Sequence, residues 1–257
     1  MAARKGLRLR AVRDRALSGE RLSILGFPLD PLNIESAVHQ LQTWASGGQR
    51  GRTVITLNPE IIVQAQSNPT LRAAIERADL ITADGVGIVW AARRLHGVSV
   101  PRATGIDLAT DLMKAGGPDM SVYFLGGRPG VAEAAADNAR RRFGVRVAGV
   151  QHGYFSLSEE SRVMESIVEA RPDVLLTGLG AGRQETFNEG LRASGAFGVS
   201  LGVGGTLDVL AGIVQRAPAV TTRLGLEWLW RIITMRRWIR AARLAKFAGL
   251  VLAHKRT

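Results

Sequence analysis

Residues 53–60 and 80–87 decide the fold class. They read Thr-Val-Ile-Thr-Leu-Asn-Pro-Glu and Leu-Ile-Thr-Ala-Asp-Gly-Val-Gly. In each stretch a short apolar run rich in β-branched residues ends in polar residues, proline or glycine, and a helical pattern follows. This alternation is typical of a strand that leads into a helix in a βαβ unit. Because it recurs along the chain, we predict an α/β fold, Rossmann-like, with a largely parallel sheet flanked by helices.

The alternation also predicts where the elements and domains lie. The predicted strands are Leu22–Leu25, Thr53–Leu57, Leu80–Thr82, Val122–Leu125, Val145–Val150, Val174–Thr177 and Gly198–Val203. The predicted helices cover residues 33–46, 60–77, 86–95, 106–115, 130–142, 159–170 and 184–194. A boundary near Pro218 divides the chain into a basic tail (1–21), a Rossmann-like core (22–217) and a basic helical appendage (218–257).

The composition excludes several kinds of site. The chain has 257 residues, of which 46% are hydrophobic, and it has no cysteine. A disulfide scaffold, a thiolate zinc site and a cysteine nucleophile are therefore excluded. The four histidines are His39, His96, His152 and His254, and no two lie within four positions of each other. A histidine-built metal site is therefore not expected, and we predict no catalytic metal.

The net charge of +12 is concentrated at the two ends of the chain. Residues 1–21 hold seven Lys/Arg and two Asp/Glu, and residues 223–257 hold nine and one. A near-neutral core between basic ends indicates attachment to an anionic surface, either membrane or nucleic acid. For residues 1–21 the alternative is a solvated tail with no binding role.

The C-terminal segment has the pattern of an interfacial helix. Its apolar stripe consists of Trp228, Ile232, Met235 and Ile239, and the adjoining cationic row consists of Arg236, Arg240 and Arg243. Such a helix can lie among lipid headgroups, but its apolar runs are too short to cross a bilayer. The N-terminus also lacks the apolar region of a signal peptide. We predict a cytoplasmic protein bound peripherally to the inner face of the cell membrane; the alternative is a core-packed helix with snorkelling arginines.

Polar residues and glycines follow the predicted strands. The junctions are Thr56-Leu-Asn-Pro-Glu60, Ala83-Asp-Gly-Val-Gly87, Leu125-Gly-Gly-Arg-Pro-Gly130, Gly178-Leu-Gly-Ala-Gly-Arg-Gln-Glu185 and Gly202-Val-Gly-Gly-Thr-Leu-Asp208. Ligands of open parallel sheets bind beyond the carboxyl ends of the strands, where glycine lets the backbone approach a phosphate closely. The junctions together predict a nucleotide-type ligand, although tight strand-to-helix packing also selects glycine.

Two familiar motifs fit poorly. The glycine runs beginning at Gly178 and Gly202 resemble a dinucleotide fingerprint, but Arg183 and Leu207 occupy the last glycine position, which argues against an NAD enzyme. Residues 198–202 match the G-x-S-x-G elbow of serine hydrolases. The elbow serine should lie on a sharp turn, whereas Ser200 lies within a predicted strand, which argues against a hydrolase.

Asp84 is the candidate for acid–base chemistry. It ends an apolar strand and precedes two nearby glycines. A partly desolvated carboxylate at a strand end can accept a proton from a sugar hydroxyl that attacks an electrophile. Alternatively, Asp84 caps the helix predicted at 86–95.

An ordered series of motifs extends over residues 22–243. They are Thr56-Leu-Asn-Pro-Glu60, Ala78-Asp-Leu-Ile-Thr-Ala-Asp-Gly-Val-Gly87, Arg102-Ala-Thr-Gly-Ile-Asp107, Phe124-Leu-Gly-Gly127, His152-Gly-Tyr-Phe155, Gly182-Arg-Gln-Glu185, Gly202-Val-Gly-Gly205, Arg216-Ala-Pro218 and Gly225-Leu-Glu-Trp-Leu229. In number, order and spacing they resemble the WecG/TagA/CpsF glycosyltransferases of bacterial cell-envelope polysaccharide and teichoic acid synthesis.

The resemblance implies an inverting, metal-independent transferase that needs no cofactor. It would move a sugar, of the N-acetylmannosamine type, from a UDP-sugar donor to a polyprenyl-diphosphate-linked saccharide at an anionic membrane surface. The chain has no Asp-x-Asp motif to hold a metal on the nucleotide diphosphate, so arginines and backbone amides would stabilise the charge.

The resemblance also assigns site residues. The catalytic set is Asp84 as base with Thr56, Asn58, Arg102 and Gln184. The nucleotide-sugar set is Gly126, Gly127, Tyr154, Gly204, Gly205 and Asp208, and the lipid-diphosphate set is Arg231, Arg237 and Arg240. Structural alternatives stay open, because Thr56 and Asn58 could cap the helix that begins near Glu60, Arg102 could pair with Asp107, and the glycines could serve packing.

Two rival functions are considered. A nucleic-acid-binding protein would use the basic ends and tryptophans, but such proteins usually spread cations across the domain face, and this core is near neutral. We therefore predict no nucleic-acid partner. An inactive UDP-sugar-binding relative is the second rival, against which the presence of Asp84 argues. The sequence leaves self-association open.

Overall fold

The computed structural model describes residues 20–214 and 238–254. The predicted α/β class is confirmed. A six-stranded sheet, all of whose strand pairs are parallel, has helices on both faces. The predicted boundary near Pro218 and the basic tail 1–19 lie outside the described residues.

The elements are numbered here in chain order. The strands are β1 (Leu22–Ile24), β2 (Phe27–Leu29), β3 (Arg52–Leu57), β4 (Leu80–Ala83), β5 (Ser121–Gly126), β6 (Arg146–Gln151), β7 (Val174–Gly178) and β8 (Val199–Gly202). The helices are α1 (Ile34–Ser46), α2 (Pro59–Ala65), α3 (Pro69–Arg77), α4 (Val86–His96), α5 (Gly105–Gly116), α6 (Val131–Phe143), α7 (Leu157–Ala170), α8 (Arg183–Arg192), α9 (Thr206–Leu210) and α10 (Trp238–Ala253). A short 3-10 helix covers Gly117–Asp119.

The strand order is β4-β3-β8-β7-β5-β6. The chain runs outward from β3 to β4, crosses the sheet to β5, and then returns inward through β7 to β8. Since all six strands are parallel, the loops that follow them emerge at one edge of the sheet. A ligand site is expected in the crevice at that edge, where the strand order reverses.

Strands β3, β4, β5, β7 and β8 are largely buried on both faces, as is typical of parallel strands, whereas the edge strand β6 is only partly buried. Alternate side chains of β5 face different layers, with Val122 and Phe124 packing under α5 and α6, and Tyr123 and Leu125 packing under α7 and α8. The β3–β4 end of the sheet is covered by α2, α3, α4 and α10. These layers hold the strand ends of the carboxyl edge in place.

One local prediction is confirmed with a different pairing, and one is wrong. The strand predicted at 22–25 is present as β1, but it lies outside the parallel sheet and forms an antiparallel hairpin with β2 through a turn in which Leu25 and Gly26 both have positive φ. The single helix predicted at 60–77 is two helices. Pro69 begins α3. Its ring clashes with a helical conformation at the preceding residue, so Asn68 is extended, and the Asn68 side chain accepts a bond from Leu71 N at 3.0 Å.

The C-terminal helix α10 packs against α2 and α4. Phe247 and Val251 are fully buried in the core beside them, and the Arg243 guanidinium bonds to Glu60 Oε1. Residues 241–253 of this helix therefore pack on the core, whereas the predicted apolar stripe (Trp228, Ile232, Met235 and Ile239) lies outside the residues whose side chains are described, so the interfacial helix stays a prediction. Within residues 20–214 and 238–254, no helix combines the length and apolarity needed to cross a bilayer.

Candidate active site

A cleft of about 970 Å³ opens at the carboxyl edge of the sheet. It is lined by the ends of β3, β4, β7 and β8 and by the loops that follow them. Ten of the residues predicted for catalysis or nucleotide-sugar binding line this one cleft: Thr56, Asn58, Asp84, Arg102, Gln184, Gly127, Tyr154, Gly204, Gly205 and Asp208. The spacing of these ten residues in the sequence does not by itself show that they lie together.

Asp84 follows the buried strand β4 and is half-buried in the cleft wall. Its backbone N–H donates to Leu57 O at 2.8 Å, which extends the β3–β4 ladder by one residue. Next along the wall, Ala103 N donates to Ala83 O at 3.0 Å and brings Arg102 to the same edge. The N-cap of α4 is Gly85 rather than Asp84, so the predicted capping role is wrong.

Thr56 and Asn58 lie on either side of the end of β3. The Thr56 hydroxyl donates to Gly202 O at 2.9 Å and ties β3 to β8, so it does not cap the next helix. Asn58 is the N-cap of α2, with its side-chain oxygen accepting from Ile61 N at 3.1 Å. Its amide group is half-buried and also lines the cleft. Each residue therefore has a structural bond and a position at the site.

Gln184 is buried under the cleft floor at the start of α8. Its Oε1 accepts from Gly204 N at 3.1 Å, and its Nε2 donates to Glu185 Oε1 at 2.8 Å. Glu185 is also buried, and burial raises the pKa of its carboxyl to about 7. Sequence reasoning did not assign Glu185 a role, although its place in the Gly182-Arg-Gln-Glu185 motif was a signal.

Arg183 is a second residue that sequence reasoning missed. Its guanidinium lies 4.4 Å from the centre of the Phe155 ring and donates to the carbonyl oxygens of Gly153 and Phe155, both at 3.3 Å. It thereby ties the start of α8 to the loop that carries Tyr154. The Tyr154 side chain is 69% exposed at the cleft, as an aromatic side chain available to a ligand would be.

The predicted glycines fall into two groups. Gly127 and Gly204 line the cleft with positive φ values of 71° and 54°, and no atom lies within 4 Å of the space a Cβ would take at Gly204. At Gly126 a Cβ would lie 2.5 Å from Gly178 O, and Gly126 is not among the residues that line the cleft. Packing between β5 and β7 therefore explains the glycine at 126.

The arginines predicted for a lipid diphosphate are mostly outside the described residues. Arg231 and Arg237 lie there, and so do Trp228, Ile232, Met235 and Arg236 of the predicted interfacial face. Arg240 belongs to α10, but its side chain is not described. The described part of α10 reaches the cleft through Leu244, and the partly exposed Trp90 of α4 lines the same cleft.

The described residues bear on two sites considered from the sequence. Ser200 is fully buried inside β8, so it is not an elbow nucleophile and the argument against a serine hydrolase is confirmed. In residues 20–214 and 238–254, no group of three or more His, Asp or Glu side chains could hold a metal ion.

Comparisons with known proteins extend this description. The model of the glycosyl transferase WecG/TagA/CpsF family matches residues 22–257. The chain is also similar to the N-acetylglucosaminyldiphosphoundecaprenol N-acetyl-beta-D-mannosaminyltransferase of Bacillus spizizenii strain W23. The two are 33% identical over 226 residues, which cover 87% of each chain. The region that the family model matches includes every strand of the six-stranded sheet and every residue named at the cleft.

Proposed function

Since this chain belongs to the WecG/TagA/CpsF family, it is a glycosyltransferase, and we propose that it transfers a sugar of the N-acetylmannosamine type from UDP to a polyprenyl-diphosphate-linked saccharide. The observation that carries the proposal is the shared cleft. It combines a half-buried aspartate at a strand end, an arginine, three polar side chains and strand-end glycines. The related Bacillus enzyme, whose name specifies an N-acetylmannosaminyl donor group and a polyprenyl-diphosphate acceptor, supports the substrate class.

The proposed reaction is a direct displacement at the anomeric carbon. The Asp84 carboxylate removes the proton from the acceptor hydroxyl, whose oxygen attacks C1 of the donor sugar. The bond from C1 to the diphosphate oxygen breaks on the opposite face, so the product has the inverted configuration and UDP leaves. One proton passes to Asp84, and the negative charge passes to the departing diphosphate.

Charge on the diphosphate would be stabilised by groups already fixed in the cleft. Arg102 supplies a guanidinium at the same edge as Asp84, and the loops at Gly127 and Gly204 present backbone without side chains. Fixed donors aimed at a developing charge act without reorganisation during the reaction. Thr56 and Asn58 would orient the reacting sugars, and Tyr154 and Asp208 would hold the uridine.

The acceptor would approach from the side of α10. The basic C-terminal segment would hold the protein on anionic lipid at the cytoplasmic face of the membrane, with Arg231, Arg237 and Arg240 on the lipid diphosphate. Leu244 and Trp90 give this side of the cleft an apolar wall. Metal independence is part of the proposal, because the charge roles are assigned to arginine and amides.

The test is UDP release by the purified full chain with a polyprenyl-diphosphate N-acetylglucosamine analogue. UDP-N-acetylmannosamine, its uronic acid, UDP-glucose and UDP-glucuronate are compared, each with and without EDTA. We expect acceptor-dependent release with UDP-N-acetylmannosamine, unchanged by EDTA. Release restored only by Mg²⁺ or Mn²⁺ would refute metal independence. No acceptor-dependent release from any donor, in a protein that still binds UDP, would refute the proposed substrate pair.

A further inference from the structure

Glu185 is a buried carboxyl for which the proposed reaction has no use. It is 2% exposed and lies behind Gln184, whereas the Gln184 side chain itself lines the cleft. Gly182 N donates to Glu185 Oε2 at 2.6 Å and Gln184 Nε2 donates to Oε1 at 2.8 Å. Within the described residues both carboxyl oxygens are therefore taken by amide donors rather than by a cation. The bond from Gly182 N is the capping-box bond of Glu185 at the start of α8, whereas the bond from Gln184 is not part of the cap and is the one to be explained.

The carboxylate determines which way the Gln184 amide points. An ionised carboxylate only accepts hydrogen bonds, so the NH₂ end of Gln184 must face Glu185. The oxygen end must then face Gly204, whose N–H donates to it at 3.1 Å. In the reversed orientation the oxygen would face a carboxylate and the NH₂ group would face an N–H, and both contacts would be repulsive. Glu185 thus selects one of two nearly isosteric states of Gln184.

The strand beside this chain of bonds has a glycine at the point where Gln184 and Glu185 approach it. A Cβ at Gly202 would lie 2.7 Å from Gln184 Nε2 and 3.2 Å from Glu185 Oε1. The absence of a side chain at 202 therefore lets the two residues pack against the end of β8. The next residues, Val203 to Thr206, form the loop that lines the cleft and carries Gly204 with φ of 54°. Because Gly204 N donates to Gln184 Oε1, the orientation of the Gln184 amide determines whether this loop keeps that bond.

We propose that Glu185 is a positioning residue, which fixes the Gln184 amide and through it the Gly204 loop for sugar transfer. The inference deepens the proposed function and rests on it for the part Gln184 plays in transfer. The hydrogen-bond chain itself is independent of the substrate. Glu185 touches no reacting atom in this scheme and acts only through its neighbour.

Protonation of the Glu185 carboxyl should remove the preference of the Gln184 amide for one orientation. A carboxylic acid has one O–H donor, but the groups that face it, Gly182 N–H and Gln184 NH₂, are both donors. Reversing Gln184 would satisfy the new O–H and break the bond from Gly204. The nearby Glu60 carboxylate, which is itself paired with Arg243, adds to the raised pKa of Glu185 after the dominant effect of burial. The Gln184 amide and the Gly204 loop should therefore lose their fixed positions as the pH falls through about 7.

The first experiment needs no substrate. The side-chain NH₂ signals of Gln184, assigned with a Gln184→Ala variant, are followed by NMR from pH 5.5 to 8.5 in the full chain. We expect a shift with a midpoint near pH 7 that is absent in Glu185→Gln. Signals that do not change across this range in the wild type would overturn the proposal, even if the sugar transferred were misassigned.

The second experiment measures kcat and KM for donor and acceptor across the same pH range. In Glu185→Gln we expect kcat to fall by on the order of tenfold to a hundredfold, as small misplacements in a site commonly do, with KM changed little. The acid limb of the wild-type profile should also disappear. Wild-type kcat with an unchanged acid limb in this variant would refute the positioning role.

The matched control is Asp173→Asn, the same carboxyl-to-amide change at the opposite edge of the sheet. Asp173 Oδ2 accepts from Ser121 N at 2.8 Å and from the Ser121 hydroxyl at 2.7 Å, far from the cleft. The control should lower the melting temperature but leave the shape of the pH profile unchanged. Loss of the acid limb in the control as well would attribute the limb to general stability and overturn the proposal.

Discussion

Strand β4 is flanked by two aspartates that do different work. Asp79 precedes the strand, and its carboxylate accepts from Arg52 at 2.6 Å, Arg192 at 3.1 Å and the backbone N of Thr53 at 3.0 Å. Asp84 follows the strand and faces a cleft wide enough for a ligand. At the amino edge of the sheet the acid joins strands and helices, whereas at the carboxyl edge it lines the cleft, where we propose that it acts as the base. On this proposal, the two ends of one strand carry a structural and a chemical carboxylate.

Among the variants that test this comparison, Asp84→Asn has the largest expected effect. The amide keeps the shape of the side chain but cannot take the proton of the acceptor hydroxyl, so kcat should fall by about 10²–10⁴-fold while UDP affinity stays nearly unchanged. UDP release and UDP titration calorimetry measure the two quantities. The matched variant is Asp79→Asn, which should keep its kcat and lose about 2 kcal/mol of unfolding free energy, because Arg52 and Arg192 lose a charged acceptor.

Either of two results would break the comparison. Retained turnover in Asp84→Asn would remove Asp84 as the base. A large loss of kcat in folded Asp79→Asn would mean that the amino edge also contributes to the chemistry. Urea unfolding of both variants shows whether a loss of activity is a loss of folded protein.

The sequence predicts the carboxyl edge better than it predicts the borders of single elements. The alternation of strand and helix patterns predicts a parallel sheet, and in a parallel sheet the carboxyl ends of all strands lie at the same edge. Asp84, Thr56 and Gly204 could therefore be assigned to one site without knowledge of strand order. The break at Pro69 was missed because apolar periodicity continues through it, although the proline itself was visible.

Glu185 shows what the sequence could not supply. One residue on from Gln184, it is carried by the helix to a position away from the cleft, and its burial depends on β8, which follows α8 in the chain. A carboxyl with no cation neighbouring it in sequence, and none bonded to it among the described residues, cannot be distinguished from a surface glutamate by composition. The same holds for the Arg243–Glu60 pair, which joins residues far apart in the chain.

Glu185 adds a third kind of carboxyl to the comparison, neither ion-paired nor open to the cleft. Its pKa is raised from the ordinary value of 4.5 to about 7, chiefly by burial. The folded state thus binds more protons than the unfolded state between these values, and its stability should fall as the pH rises from about 4.5 to 7. The loss should be roughly 3 kcal/mol in the wild type relative to Glu185→Gln.

Urea unfolding of both proteins at pH 5 and pH 8 measures this difference. Stability should fall as the pH rises, whereas kcat should rise. The two trends are opposite because burial destabilises the ionised form of Glu185, and this is the form that orients Gln184. A wild type whose stability relative to Glu185→Gln rises between these pH values would show that Glu185 is ionised throughout this range.

The smallest expected effect concerns Glu60, an acid of the cleft wall that pairs with Arg243 of α10. Both side chains are partly buried, and the pair links the start of α2 to a helix near the end of the chain. A double-mutant cycle with Glu60→Gln and Arg243→Met should give a coupling free energy of about 1 kcal/mol, the upper part of the range for accessible pairs. Methionine keeps the apolar stem that covers α2.

The reference for this cycle is the Arg72–Glu76 pair, which lies within α3 at 3.4 Å and is more exposed. Pairs of this spacing couple by about 0.3–0.5 kcal/mol. A coupling between Glu60 and Arg243 that exceeds the reference would show that an arginine at the carboxyl edge stabilises the docking of α10, as Arg52 and Arg192 stabilise the amino edge. A coupling no larger than the reference would leave Phe247 and Val251 as what holds α10, and would restrict structural ion pairing to the amino edge.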